Sequence, residues 1–192
     1  MGAQPPCLKP LALTCPPAET LRTLTGAGAT ARVPTYDKSL RAGRGDRAPE
    51  GSWPVVTAPM RVVLLEGWCL GFRAAPEDGA AAAVHPGLGA VNAALRGYAS
   101  RLERFCDAWI VIRVEDPTWV FDWRLQAERQ MRATGKPGLS DDQIRDFCER
   151  FQPAYRAYLP GLYGKGPTGK GGAPRLCLDV DSGRTLVGAS SS

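Results

Sequence analysis

Apolar positions recur along this chain at two periods, and each period predicts an element. Val91, Leu95, Tyr98, Leu102 and Phe105 follow one another at three- and four-residue intervals, which places them on one face of a helix. The run from Met60 to Leu65 is short and almost wholly apolar, as a strand buried on both faces of a parallel sheet would be, and it stops at Glu66 and Gly67. Further strands are predicted in AWIVIRV (108–114) and RLCLDVD (175–181), and a short one ends at Val33. Asp116 and Pro117 supply a cap and a first-turn proline, so a helix is expected from there to about Ala133, closed by Gly135 and Pro137. Ser140 and Gln143 have capping-box spacing ahead of a helix with Ile144, Phe147, Cys148 and Phe151 on its apolar face; Pro153 should break or kink it. A short helix is expected over 18–24. Residues 74–90, rich in Ala, Gly and Pro, read as a mobile connection. Residues 1–17, with five prolines and no periodicity, and the Ser-rich 188–192 read as disordered.

Strands alternating with helices define an α/β class with a parallel sheet. The 192 residues, 44% apolar, suit one globular domain of ordinary size or somewhat more. No apolar run approaches the ~20 residues that span a bilayer, and no signal peptide opens the chain, so no membrane partner is expected. The net charge of +5 comes mainly from arginine; only five of the 24 basic residues are lysine. These charges are scattered, without aromatic interleaving, so no nucleic-acid partner is expected either. A GC-rich genome accounts for the arginines, with a subset left for an anionic small ligand. Six widely spaced cysteines without a C-x-x-C pair indicate a reducing, intracellular setting and no disulfide framework. The single His85 excludes a histidine-based metal cluster.

Four stretches offer chemistry. Glu66 ends an apolar strand, where an acidic residue can order Mg²⁺ directly or through water; many strands also end in Glu for no chemical reason. The segment from Arg32 to Pro54 crowds Asp37, Lys38, Arg44, Asp46 and Arg47 among glycines. It can present a carboxylate to an acceptor hydroxyl and cations to an anion, or it is a solvated loop whose charges pair with each other. The helix after Asp116 carries Arg124 and Arg132 about 80° apart, followed by Lys136. They would close over phosphates as a lid, or form a solvated face with an Arg124–Glu128 pair. GKGPTGKG (164–171) nearly matches a phosphate-binding loop. It has Gly171 where Ser or Thr belongs, and neither a strand before it nor a helix after it.

VPTYDKS (33–39), GRGDRA (43–48), VVLLEGWCLGF (62–72), FCDAWIVIRVEDP (105–117), WRLQAERQMRATGKPGLSD (123–141) and PAYRAYLPGLYGKGP (153–167) together resemble D-glycerate 3-kinase of the plant and fungal type. That family belongs with the P-loop kinases related to uridine kinase, phosphoribulokinase and pantothenate kinase. The likeness runs over residues 18–187 and implies the acceptor-site and lid portion of a kinase domain. It implies transfer of the ATP γ-phosphate to D-glycerate, giving 3-phosphoglycerate, with ATP and Mg²⁺ as cofactors. In a photosynthetic eukaryote this would be a photorespiratory step in the chloroplast stroma; elsewhere it would be cytoplasmic. By this resemblance Asp37 is the base or hydroxyl orienter and Glu66 the Mg²⁺-ordering acid. Tyr36, Lys38, Arg44, Asp46 and Arg47 line the acceptor, and Arg124, Arg132 and Lys136 belong to the ATP lid. Family members open with a strand, a true phosphate-binding loop and a helix, which this sequence lacks. The implied fold is therefore a three-layer P-loop kinase sheet, incomplete on the N-terminal side and inactive or nearly so alone. A non-catalytic remnant, or a sibling kinase with a nucleoside or pantothenate-like acceptor, is the alternative. The oligomeric state is left open.

Overall fold

A computed structural model describes residues 16–26, 29–37, 40, 46–135 and 138–192. Helix α1 (Pro16–Thr25) buries Leu21 and Leu24 and leads into strand β1 (Thr30–Arg32). β1 pairs antiparallel with β4 (Val55–Thr57), and between them lies a second antiparallel pair, β2 (Tyr36–Asp37) with β3 (Asp46–Arg47). Backbone bonds from Ala58 N–H to Ala29 O (2.8 Å) and from Met60 N–H to Leu24 O (3.0 Å) fasten the end of β4 to this unit.

The larger part of the core is built on β5 (Trp109–Val114), β6 (Arg175–Val180) and β7 (Leu186–Ser191). β5 and β6 run parallel, and β7 returns antiparallel on the far side of β6. Helices α2 (Asp78–Val84), α3 (Leu88–Arg101), α4 (Val120–Ala133), α5 (Asp141–Glu149) and α6 (Gln152–Lys165) complete it. Val111 and Cys177 sit opposite each other in the ladder and point into a cluster with Phe72, Leu88, Leu95 and Tyr158. Burying an aliphatic or aromatic side chain of this size stabilises by about 1.5–3 kcal/mol. Asn92, fully buried, accepts from Ala75 N–H (2.7 Å) and donates to Ala75 O (3.2 Å), which ties the stretch before α2 to α3. Alternation sends Ile110 and Ile112 to the opposite face of the sheet, where they are 60% and 62% exposed.

Four expectations are corrected and a fifth is extended. The apolar run Met60–Leu65 forms no ladder among the described residues, and Val62 and Leu64 are 79% and 82% exposed. A strand needs a hydrogen-bonding neighbour, and here none stands beside it. Residues 74–90 contain α2 and the start of α3, because the alanine run favours helix despite its glycine and proline flanks. The helix headed by Ser140 does end before Pro153, at Glu149, but Pro153 itself stands in the first turn of α6, where a missing N–H costs nothing, so it also starts a new helix. The Ser-rich end is not loose: Leu186–Ser191 is β7. Finally, only the β5–β6 pair is parallel among the described residues; the other ladders are antiparallel. The reading of residues 1–17 as disordered falls almost wholly outside the described residues.

Candidate functional site

Parallel strands β5 and β6 end together at Val114 and Val180, and charged groups gather at that end. Arg113 and Asp179 are direct cross-strand partners. Their side chains form a two-pronged ion pair, with Arg113 Nε donating to Asp179 Oδ1 (2.7 Å) and Nη2 to Oδ2 (2.6 Å). The guanidinium holds the Asp179 carboxyl below its ordinary pKa range, and the bond to Asp179 raises Arg113. Tyr163, on α6, accepts from Val114 N–H through its hydroxyl (3.3 Å), and burial pushes its phenol upward. These groups, with Glu115, Trp119 and Asp181, line a cavity of about 400 Å³. In open α/β sheets the ligand cleft lies beyond the carboxyl ends of the strands, so this is the place where a substrate-sized molecule is expected.

The segment expected to hold the acceptor contributes the β2–β3 pair. Tyr36 stands opposite Arg47, and Asp37 opposite Asp46. The sequence-predicted carboxylates thus come from adjacent strand positions. Asp46 Oδ1 accepts from Arg47 N–H (2.8 Å), and the Arg47 guanidinium lies 5.9 Å from the centre of the Trp53 ring. Trp53 donates its indole N–H to Ala48 O (2.8 Å), which fixes the ring beneath that charge. Lys38 and Arg44 lie outside the described residues. Glu66 is exposed, at the turn after the unpaired apolar run. Neighbouring Trp68 packs edge-on against Phe151, with ring centres 5.0 Å apart.

Arg124 and Arg132, the cations expected to form a lid, are engaged within their own helical pair. Arg124 pairs with Glu128 (2.6 Å), a nearly buried carboxylate whose second oxygen accepts from Leu139 N–H (3.1 Å). Arg124 also lies over the Phe147 ring at 5.6 Å. Arg132 donates to Leu139 O (3.0 Å) and to Asp141 Oδ1 (2.6 Å), while Arg129 takes Asp141 Oδ2 (2.7 Å). Ser140 and Gln143 form the expected capping box at the head of α5. Lys136 lies outside the described residues. Among the described residues no cluster of three or more acidic, Cys or His side chains could enclose a metal ion. A single carboxylate still suits Mg²⁺, which leans on one or two carboxylates, substrate phosphates and waters rather than on a protein cage.

Sequence reasoning passed over Arg113, Tyr163 and Asp179. Their one legible signal was a charged residue near the end of each of two apolar strands; nothing in the sequence sets the two strands side by side.

The chain as a whole resembles solved and curated proteins. The solved D-glycerate 3-kinase from Cryptococcus neoformans matches 85% of this chain and 60% of its own, with a TM-score of 0.73 at 30% identity. The solved YGR205w protein matches 91% of this chain and 62% of its own, with a TM-score of 0.77 at 29% identity. The fold is therefore the α/β fold of P-loop-type kinases. In sequence, the chain is 45% identical over 177 residues, 92% of its length, to the chloroplastic D-glycerate 3-kinase of Arabidopsis thaliana. It is 32% identical over 161 residues to the probable ATP-dependent kinase TDA10 of Saccharomyces cerevisiae. No protein-family model matches. Over nearly its whole length the chain is thus similar in sequence and fold to D-glycerate 3-kinases. It spans 39% of the Arabidopsis protein and 54% of the yeast one.

Proposed function

We propose that this chain forms the acceptor-holding and lid portion of an ATP-dependent D-glycerate 3-kinase. The 45% identity over 92% of the chain to a D-glycerate 3-kinase carries this reading. Asp37 orients or deprotonates the acceptor hydroxyl. Arg47, held over Trp53, grips the glycerate carboxylate, since a guanidinium fork matches a carboxylate in shape and charge. Tyr36, Lys38, Arg44 and Asp46 complete that wall. Glu66 would hold Mg²⁺, directly or through water, and the ion would neutralise charge on the transferring phosphoryl group. Arg124, Arg132 and Lys136 belong to the segment that covers ATP, with α4 and α5 moving as one piece because Glu128 and Asp141 bind across them. In a photosynthetic eukaryote the site of action is the chloroplast stroma.

The 192 residues contain no complete G-x-x-x-x-G-K-[ST] loop, and without its lysine and hydroxyl the β- and γ-phosphates lose most of their positioning. D-glycerate should therefore bind to this polypeptide by calorimetry, weakened about tenfold or more in Arg47→Ala, while ADP release in a coupled assay stays near background. Glycerate binding indifferent to Arg47→Ala sinks the acceptor assignment. Brisk turnover by the polypeptide alone sinks the expectation of inactivity. Any residual turnover should vanish in Asp37→Ala. A panel of nucleoside and pantothenate-like alcohols tests the sibling-kinase reading.

A further inference from the structure

We propose that the loop from Gly164 to Ala173 forms a second anion site, one that takes a phosphorylated small molecule at the amino end of the β5–β6 pair. The loop delivers the chain into β6, and Trp109, which begins β5, stands in the same wall. Because the strands are parallel, this is the opposite end from the Arg113–Asp179 cavity. The cavity measures about 570 Å³, within the usual range for small-molecule sites. Four basic side chains line it, Arg73, Lys165, Lys170 and Arg175, and no acidic side chain does. They come from separate segments, so their convergence is a product of the fold.

Lys170 reaches out to Asp107. Among the described residues, Arg73, Lys165 and Arg175 have no carboxylate at ion-pair distance. Arg73 stands near the buried Glu103 without touching it, and Arg175 gives its Nε–H to Ser192 Oγ (3.2 Å). Also among the described residues, the N–H groups of Gly169, Lys170, Gly171 and Gly172 donate to no protein acceptor. Consecutive free N–H groups beside cations form a cradle for an oxyanion.

The cradle is held in shape from behind. Thr168 gives its hydroxyl to Glu103 and its N–H to Gly71 O (3.3 Å). Gly169, at φ 111°, lies so close to the Glu103 carbonyl that a Cβ would approach it to 2.8 Å. Gly166, at φ 81°, leaves the space that the Arg175 guanidinium fills. Trp109 and Ala99 offer an apolar wall for the organic part of a ligand, with its phosphate toward the cations.

The test is calorimetric titration of the 192-residue chain with pyrophosphate at constant ionic strength. Saturable binding is expected, weakened about tenfold in Arg73→Gln and in Lys165→Gln and lost in the double variant, with thermal melts unchanged. Gly166→Ala, which displaces Arg175, should weaken it as well. Arg47→Gln, on the β2–β3 pair, should leave it alone, so this result is independent of glycerate binding. Parallel titrations with inorganic phosphate, 3-phosphoglycerate and ATP then identify which phosphorylated class binds best. Absence of saturable binding overturns the proposal, and so does equal binding by the double variant.

Discussion

Glu103 has no exposed surface, yet it is a carboxyl group. It accepts from Gly71 N–H (2.7 Å) and from the Thr168 hydroxyl, so it pins two distant loops to the end of α3. Burial raises its pKa, against the lowering influence of those hydrogen bonds and of Arg73. The folded state then keeps its proton to higher pH than the unfolded state does. Stability from this group is present at low pH and falls as pH rises from the ordinary glutamate value, about 4.3, through the raised one. Thermal melts across that window should show the decline, and Glu103→Gln should flatten it. Glu103→Ala leaves a buried N–H without an acceptor and should lose about 1–3 kcal/mol in urea titrations. Cys69 is the second residue of this kind. It is buried in the same turn at φ 65°, and burial pushes its thiol up to about 12. A brief iodoacetamide pulse near neutral pH, read by peptide mass mapping, should leave Cys69 unmodified until the protein unfolds. Prompt labelling in the native state would contradict the packing described.

At the scale of elements, α4 and α5 are joined by ion pairs. Asp141 lies in the first turn of α5 and receives Arg129 and Arg132 from α4, which hold its carboxyl below the ordinary aspartate range. A depressed pKa contributes stability that is complete above the unfolded value, near 3.9, and is lost as pH falls through the folded one. Melts at pH 7 and pH 3 should differ less in Asp141→Asn than in the parent chain. Ser140→Ala removes the cap and should cost about 0.5–2 kcal/mol by denaturant titration. This helix was legible because its cap is written in local residues. So was the start after Asp116, whose side chain accepts from Thr118 N–H (2.8 Å). The strand expected at Met60–Leu65 was not, because pairing depends on a neighbour and not on the apolar run itself. α6 was hidden because the same proline ends one helix and begins the next.

Over the whole molecule, one sheet face is packed and the other bare. Ile110 and Ile112, more than half exposed, share the open face, and Val62 and Leu64 add uncovered apolar surface elsewhere. Contiguous apolar surface of this kind favours association. The isolated chain is expected to sediment as oligomers, with Ile112→Lys shifting the distribution toward monomer. A monomeric, cooperatively melting parent chain would refute that expectation. The candidate site divides in the same way between local and distant information. Asp37, Asp46 and Arg47 were visible because they crowd one short segment. Arg113 and Asp179 meet only through the register of two strands 66 residues apart, which no local pattern encodes.

The turn between β6 and β7 reaches α4. Trp123 gives its indole N–H to Ser182 O (2.6 Å), and Arg184 lies over the same ring while binding Gln126 Oε1 (2.9 Å). The front half of α4 is thereby anchored to the sheet, while its rear half is bound to α5. A swing of the α4–α5 pair would thus pivot close to Trp123, and its far tip near Gly135 would travel the greatest distance.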